Sequence, residues 1–314
     1  MGTFANAFVH ALFAPGFLAS DPVRLAVATG LVVALVSGAL GVFTVLRGQS
    51  FAGHALSDLG TLGGSGAALA GVGPLWGFLG VGVVVAGVME LFSTRQRRSR
   101  DVATGLVLSA ALGLSALFLY LDTTVDSTTG VTVTILFGSL FTVTGGTVPL
   151  LVLLGSATLA VLAVLYRPLL LSSVSADLAA ARGIPVRALG LVFLVLLALA
   201  TALSSMSVGT ILSPALLVGP AATALRLTRR PVAAMVLAGA LGTAATWTGI
   251  VLAYDSYLWP PAGRGWPVSF FVVTLVFAFY LLADAAVRIG AARARRRAPD
   301  RRCPAAQPSP AGVN

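Results

Sequence analysis

Apolar stretches of about 20 residues recur along most of the chain, separated by short polar or Gly/Pro-containing breaks. A helix of that length crosses a hydrocarbon core about 30 Å thick with its backbone hydrogen bonds satisfied internally. The pattern predicts an all-α fold, a polytopic transmembrane helical bundle with about nine spans. The predicted spans are 24–46, 51–72, 74–92, 102–121, 150–166, 186–206, 210–225, 232–254 and 268–287.

The stretch 131–166 departs from a simple alternation of spans and loops. It contains two apolar pieces broken by the polar sequence TVTGGT at 142–147, yet the chain must change sides across it, which requires an odd number of crossings. We therefore assign the crossing to 150–166. The piece 132–140 is expected to be a short re-entrant or interfacial segment that other parts of the protein cover, because lipid cannot satisfy its free backbone groups.

Composition supports a membrane protein and excludes a soluble domain. Of 314 residues, 57% are hydrophobic and 10% charged, and the mean hydropathy is +0.97. The net charge of +10 does not indicate nucleic-acid binding, because the 20 basic residues are all Arg and, apart from Arg24 and Arg264, fall on one side of the predicted threading. By the positive-inside rule this side, with the C-terminus, is cytoplasmic.

The chain divides into three regions. Residues 1–23 form an extracytoplasmic or interfacial segment, 24–290 the transmembrane domain, and 291–314 a basic, then Pro/Ala-rich cytoplasmic tail that we expect to be disordered. Within the cytoplasmic interruption at 171–187, Ser175 is a candidate N-cap and Gly183 a candidate stop for a short helix.

The second predicted span carries the candidate site. His54 and Asp58 are four residues apart on one helical face, among Ser, Thr and Gly residues that predict burial between helices. Ionisable groups inside a bilayer are costly, so they are functional candidates. An imidazole nitrogen and a carboxylate oxygen suit Zn²⁺, Mn²⁺ or Fe²⁺. The pair could instead be a structural hydrogen bond between helices, or line a vestibule that attracts cations.

Other acidic residues have simpler interpretations. Glu90 and Asp284 lie near cytoplasmic ends of predicted spans, where they are expected to reach the interface or pair with Arg. Asp122 and Asp126 are expected to form a small negative rim on an outside loop, which could dock a basic patch of a partner or simply be solvated. The chain lacks a phosphate-binding loop and any arrangement typical of a hydrolase, which indicates a transport subunit rather than an enzyme.

The segment from Arg47 to Asp58, RGQSFAGHALSD, resembles the motif R-x-x-S-[FL]-x-G-D-A-[LI]-S-H of the zinc/manganese/iron permeases of ATP-binding-cassette importers. Further landmarks follow in family order. They are RDVATGLVLS at 100–109, LFGS at 136–139, DLAAARGIPV at 177–186 and VGTILSPALLVGPAAT at 208–223. The order of the two ionisable residues is exchanged here, with His54 at the Asp position and Asp58 at the His position. Both ligand types survive the exchange.

The resemblance implies a permease that imports a divalent metal ion, Zn, Mn or Fe, as cargo and holds no permanent cofactor. It implies a homodimer in a bacterial plasma membrane, served by a cytoplasmic ATPase and an extracytoplasmic metal-binding protein, working by alternating access. The helix at 175–183 resembles the coupling helix that docks on the ATPase. The matching residues are Ser175, Asp177, Leu178, Ala181, Arg182 and Gly183.

Two other transport hypotheses fit the hydrophobic pattern. A siderophore- or cobalamin-type permease would have about ten spans and lack a paired His and Asp in its cavity. An ion-coupled secondary transporter would show an inverted repeat with matched broken helices, and no convincing repeat is present.

Overall fold

The computed structural model describes residues 20–91, 97–125, 129–138, 140, 145–259 and 265–297. Within these residues the fold is all-helical, as predicted, and contains no strand. The helices are α1 (Asp21–Leu46), α2 (Ser50–Leu69), α3 (Pro74–Leu91), α4 (Arg97–Val125), α5 (Thr129–Phe137), α6 (Val148–Val174), α7 (Ala176–Ala181), α8 (Val186–Val208), α9 (Ser213–Leu227), α10 (Pro231–Asp255) and α11 (Val268–Arg297), with a 3₁₀ turn at Ser256–Leu258.

Seven helices in the described part of the chain are long and apolar enough to cross a bilayer: α1, α3, α4, α6, α8, α10 and α11. The other two predicted spans correspond to α2 and α9. Hydroxyls, His54 and Asp58 make α2 too polar to meet the same criterion. With 15 residues, α9 is about 22 Å long, shorter than the hydrocarbon core.

The helices α1 and α8 form the centre of the bundle. In the most apolar 18 residues of each helix, 67% of the residues are buried in α1 and 61% in α8, against 22% in α3, α6 and α11. α1 packs against α6, α8, α9 and α10, while α8 also contacts α2 and α3. The side chains of Phe43 and Phe193 are completely buried where α1 and α8 meet the core. α2 lies to one side, between α3, α4 and α8.

The predicted fifth span was drawn too short. α6 begins at Val148 and continues through Pro168 to Val174, beyond the predicted end at 166. A proline inside an apolar helix is tolerated when neighbouring groups satisfy the freed carbonyl, so it need not end a membrane helix. The polar interruption after α6 is correspondingly shorter, and Pro185 immediately precedes the start of α8.

The structure differs from the prediction at Asp122 and at the start of the C-terminal segment 291–314. Asp122, predicted in a solvated loop, lies inside α4 and is 3% exposed, so the predicted negative rim is wrong for this residue. Asp126 lies outside the described residues. α11 continues to Arg297, into the segment 291–314 predicted to be disordered. Its Ala- and Arg-rich sequence has high helix propensity and extends an existing helix without a new nucleation cost.

The N-terminal segment 1–23 lies outside the described residues apart from 20–23, where α1 begins at Asp21. The remainder of the C-terminal tail after 297 also lies outside them. α5 overlaps the predicted short segment 132–140. It has nine residues, which makes it about 13 Å long and far too short to cross a bilayer as a helix.

Candidate functional site

The helix α2 presents a buried face of small and hydroxyl residues and a narrow exposed stripe. Its hydroxyls Ser57, Thr61 and Ser65 are buried, as the sequence predicted. The small residues allow close approach of neighbouring helices, a pattern typical of membrane helix packing. The exposed stripe begins with Phe51 and continues one turn later with His54.

His54 and Asp58 are brought together on this stripe, as their i,i+4 spacing predicted. The imidazole Nε2 lies 3.5 Å from the carboxylate Oδ2, and the side chains are 52% and 19% exposed. Both groups therefore remain accessible from the outer surface of a helix that is otherwise largely enclosed. Across the described residues, no third His, Cys, Asp or Glu joins them to make a metal-binding cluster. One chain thus offers a cation two ligating side chains here.

The residue before Asp58 anchors this helix to a break in the bundle. The Ser57 hydroxyl donates a hydrogen bond of 2.8 Å to the backbone carbonyl of Thr210, in the turn between α8 and α9. It also lies 3.5 Å from the Ser205 hydroxyl. This bond fixes the rotation of α2 and so sets the direction in which Asp58 points. No sequence pattern predicts this contact, because its partners are 153 positions apart in the chain.

The turn that Ser57 contacts is itself paired with the end of α5. The amide nitrogens of Thr210 and Ile211 donate to the carbonyls of Ile135 and Leu136, at 3.1 and 3.4 Å. The pairing satisfies non-helical backbone groups that lipid would leave unsatisfied.

Two glycines make this pairing possible. Gly138 and Gly209 have φ of +71° and +92°, and a Cβ on either would collide with the backbone of the other's segment. The available sequence signal for such a break was a glycine followed by serine or threonine in each segment, in LFGS at 136–139 and SVGT at 207–210.

The predicted short cytoplasmic helix is present as α7. The Ser175 hydroxyl accepts a hydrogen bond of 3.2 Å from the Leu178 amide, which is the predicted N-cap. Asp177 lies in the first turn, where its charge complements the helix dipole. Arg182 follows the last turn, and Gly183, with φ of +76°, stops the helix.

The outer surface of α7 is open. Leu178 is 48% exposed and Ala181 is exposed, while Ala179 is completely buried against the bundle. α7 packs against α6 and α8. α7 is therefore a short capped helix with one buried face and one exposed large apolar side chain.

The predicted pairing of Asp284 with arginine is confirmed. Its carboxylate oxygens lie 2.6 Å from Arg226 Nη1 and 2.6 Å from Arg288 Nε. The contact with Arg226 joins the last turn of α9 to α11. Glu90 lies at the end of α3 beside α8, where a Cβ on Gly190 would come 3.0 Å from its carboxylate. Neither acid forms a metal-binding cluster with His54 and Asp58 among the described residues.

Comparisons with known proteins agree with the sequence motifs. Residues 20–283 match the model of the ABC 3 transport family. The manganese import system permease protein ScaB of Streptococcus parasanguinis is 30% identical over 230 residues, covering 73% of this chain and 81% of ScaB. The high-affinity zinc uptake system membrane protein ZnuB of Haemophilus influenzae is 30% identical over 212 residues, covering 66% and 78%.

The fold is likewise similar to a solved structure. PsaBC from Streptococcus pneumoniae, solved in complex with a Fab, superposes with a TM-score of 0.75 at 26% identity, covering 89% of this chain and 95% of that one. The resemblance to metal-ion permeases found in the sequence motifs is confirmed, and the chain belongs to the ABC 3 transport family.

Proposed function

We propose that this chain is the membrane-spanning permease subunit of an ATP-driven importer of a divalent transition-metal ion. The observation that carries the proposal is the His54–Asp58 pair, 3.5 Å apart on the exposed stripe of a helix held in place from behind by Ser57. Relatives named as manganese and zinc permeases support Mn²⁺ or Zn²⁺ as cargo, with Fe²⁺ compatible with the same ligand types.

A pair of ligands suits a transport site. A cargo ion must bind strongly enough to leave water and weakly enough to be released, so a sparse ligand set with water in the remaining positions is adequate. His54 would supply an imidazole nitrogen and Asp58 a carboxylate oxygen. The exchange of their order relative to the family motif keeps this donor set.

A homodimer would complete the site. His54 is half exposed on a stripe that, in lipid, would place an ionisable group against hydrocarbon at a cost of several kcal/mol. A second copy related by a twofold axis would cover the stripe with its own His54 and Asp58, since an isologous interface apposes identical surfaces. The two pairs together would give four ligating side chains, a common number for Zn²⁺.

The threading proposed here has about nine crossings, with α2 and α9 added to the seven apolar helices and α5 as a short re-entrant or interfacial element. The arginine distribution places the turn after α1, the start of α4, α7 and the C-terminus on the cytoplasmic side of a bacterial plasma membrane. Residues 1–23 would then be extracytoplasmic and 291–314 a cytoplasmic tail.

The partners follow from this topology. α7, with Ser175, Asp177, Leu178, Ala181, Arg182 and Gly183, would be the coupling helix that docks on a separate cytoplasmic ATPase. An extracytoplasmic metal-binding protein would deliver the ion from the other side. Closure of the ATPase pair would displace α7 and shift the spans around His54 and Asp58, which gives alternating access.

The experiment is metal uptake by the assembled transporter. The chain is expressed with its ATPase and metal-binding protein in bacteria that lack their own importers, and uptake of radioactive Mn²⁺ and Zn²⁺ is measured. We expect uptake with the wild type and its loss in His54→Gln and Asp58→Asn, which retain shape but change the ligand. Ser156→Ala is the control, because this exposed hydroxyl donates a hydrogen bond to the Leu153 carbonyl of its own helix.

Immunoblots of the membrane fraction establish equal amounts of each variant. Uptake that survives both substitutions would assign the pair a structural role. No uptake of either metal with the complete system would contradict the proposed function and favour a siderophore-type permease or a secondary transporter.

A further inference from the structure

Arg47 occupies a point where five helices converge. It caps α1 and precedes α2 by a turn, and its Nη1 donates a hydrogen bond of 3.0 Å to the hydroxyl of Ser172 in α6. Its guanidinium carbon lies 5.0 Å from the ring centroid of Phe193 in α8, a cation–π distance. Glu90, at the end of α3, is near enough to act on its charge.

The cation is held in a partly buried position. Burial lowers the pKa of Arg47 from its ordinary value, and the negative charge of Glu90 partly opposes that effect. A guanidinium nevertheless keeps its proton at any physiological pH, so Arg47 is a permanent charge. Its planar group can stack on Phe193 and donate to Ser172 at the same time, which an ammonium group does less well. Arg47 therefore joins α6 and α8 to the end of α1.

On one side, the hydrogen bond between Arg47 and Ser172 lies next to the start of α7. Ser172 lies in the last turn of α6, and its hydroxyl also donates to the Leu169 carbonyl. The Ser175 amide donates to the Leu171 carbonyl in the same turn, and Ser175 then caps α7. The residues from Ser172 to the start of α7 are thus tied by consecutive hydrogen bonds, and a displacement of α7 moves Ser172.

On the other side, the contact reaches the base of α2. The turn between α1 and α2 is closed by two hydrogen bonds, from Gly48 N to the Val45 carbonyl and from Gln49 N to the Thr44 carbonyl. The amide of Gly53, the residue before His54, donates back to the Gln49 carbonyl. Backbone hydrogen bonds therefore hold the chain between Arg47 and His54 in a compact conformation.

We infer that Arg47 is a positioning residue that couples the cytoplasmic helix α7 to the His54–Asp58 helix, through its hydrogen bond to Ser172 and the tight α1–α2 turn. The inference rests on the proposed function. In this role Arg47 transmits a displacement of α7 to α2, the helix that carries His54 and Asp58, without contacting the ion itself.

A neighbouring pair of serines provides a matched test. Ser172 and Ser173 both donate to the Leu169 carbonyl, but the bond to Arg47 is made by Ser172. The full transporter, with ATPase and metal-binding protein, is reconstituted in liposomes, and Mn²⁺ uptake and ATP hydrolysis are measured together. We expect Ser172→Ala and Arg47→Lys to reduce the number of Mn²⁺ ions transported per ATP severalfold while hydrolysis continues, and Ser173→Ala to match the wild type.

The ratio separates coupling from folding. If Arg47 merely stabilises the bundle, uptake and hydrolysis fall together in proportion to the amount of folded complex, and the ratio stays constant, which overturns the inference. The double variant Arg47→Ala, Ser172→Ala should have a ratio no lower than the lower of the two single variants, Arg47→Ala and Ser172→Ala, because both substitutions remove the same hydrogen bond. Additive losses in the double variant would also overturn the inference. A wild-type complex that transports neither Mn²⁺ nor Zn²⁺ would overturn the proposed function itself.

Discussion

The hydroxyl of Ser57 donates a 2.8 Å hydrogen bond to the carbonyl of Thr210, and so fixes the helix that carries Asp58 to a non-helical turn between α8 and α9. The same turn bonds to the end of α5 through the amide of Thr210. Three separate elements therefore meet one residue away from the candidate ligand. Asp58 is therefore held beside non-helical backbone at Thr210, which is buried in the protein. Membrane proteins tolerate irregular backbone where protein covers it.

Ser57→Ala should destabilise the protein by about 1 kcal/mol, because the buried Thr210 carbonyl loses a donor and polar contacts between membrane helices average somewhat under that value. Thermal unfolding in detergent measures the change. Ser65→Ala is the control, since its hydroxyl donates to the Leu62 carbonyl of its own helix. Equal losses for the two variants would contradict the anchoring role of Ser57.

Gly209→Ala should be far more damaging than Gly183→Ala. At Gly209, φ of +92° and ψ of +158° are essentially restricted to glycine, and a Cβ would meet the backbone of α5. Strain and overpacking together should cost more than about 3 kcal/mol. At Gly183 the space is open and only the left-handed conformation is penalised, by about 1–2 kcal/mol. Yields of monodisperse protein and unfolding temperatures compare them; similar values would refute the close approach.

Exchanging the two candidate ligands should preserve transport. The double variant His54→Asp, Asp58→His keeps one imidazole and one carboxylate on the same face and restores the order in the family motif. We expect Mn²⁺ or Zn²⁺ uptake to persist, with a changed preference between the two ions, whereas each single exchange leaves two identical ligand types and loses most uptake. Uptake is measured for both ions in parallel. A double variant as inactive as the singles would argue for a directional structural hydrogen bond.

The twofold arrangement proposed around α2 predicts a specific cross-link. In a Cys303→Ala background, which removes the one native cysteine, a flexible bismaleimide should join two copies through His54→Cys in native membranes. Ala55→Cys, whose position is 1% exposed within one chain, should not react. The products are read on a denaturing gel. Failure of cysteines at 51, 54 and 58 to link two copies would place the dimer contact on another surface.

Local sequence rules accounted for the parts of the site that lie within one helix. The i,i+4 spacing of His54 and Asp58 and the caps Ser175 and Gly183 depend on a few adjacent residues, and the structure reproduces them. The bonds Ser57–Thr210 and Arg47–Ser172 join residues 153 and 125 positions apart. No periodicity predicts such contacts, because they depend on how whole helices pack.

The errors in the predicted elements have related causes. The fifth span was predicted to end at 166, but the apolar sequence on both sides of Pro168 supports a longer α6. Asp122 was placed in a loop because of its charge, although α4 runs past it and buries it. Hydropathy indicates where helices lie in the chain, and it leaves their ends to capping and tertiary contacts.

The length of α11 makes its C-terminal end a suitable position for a probe of helix tilt. Thirty residues correspond to about 45 Å, so about 15 Å of continuous helix extends past a hydrocarbon core about 30 Å thick. A tilt of the membrane-embedded part is therefore magnified at the free end. A fluorophore or spin label attached near Arg297 would report small rotations of α11 as larger displacements at the end of the helix, without modifying α2, which carries His54 and Asp58.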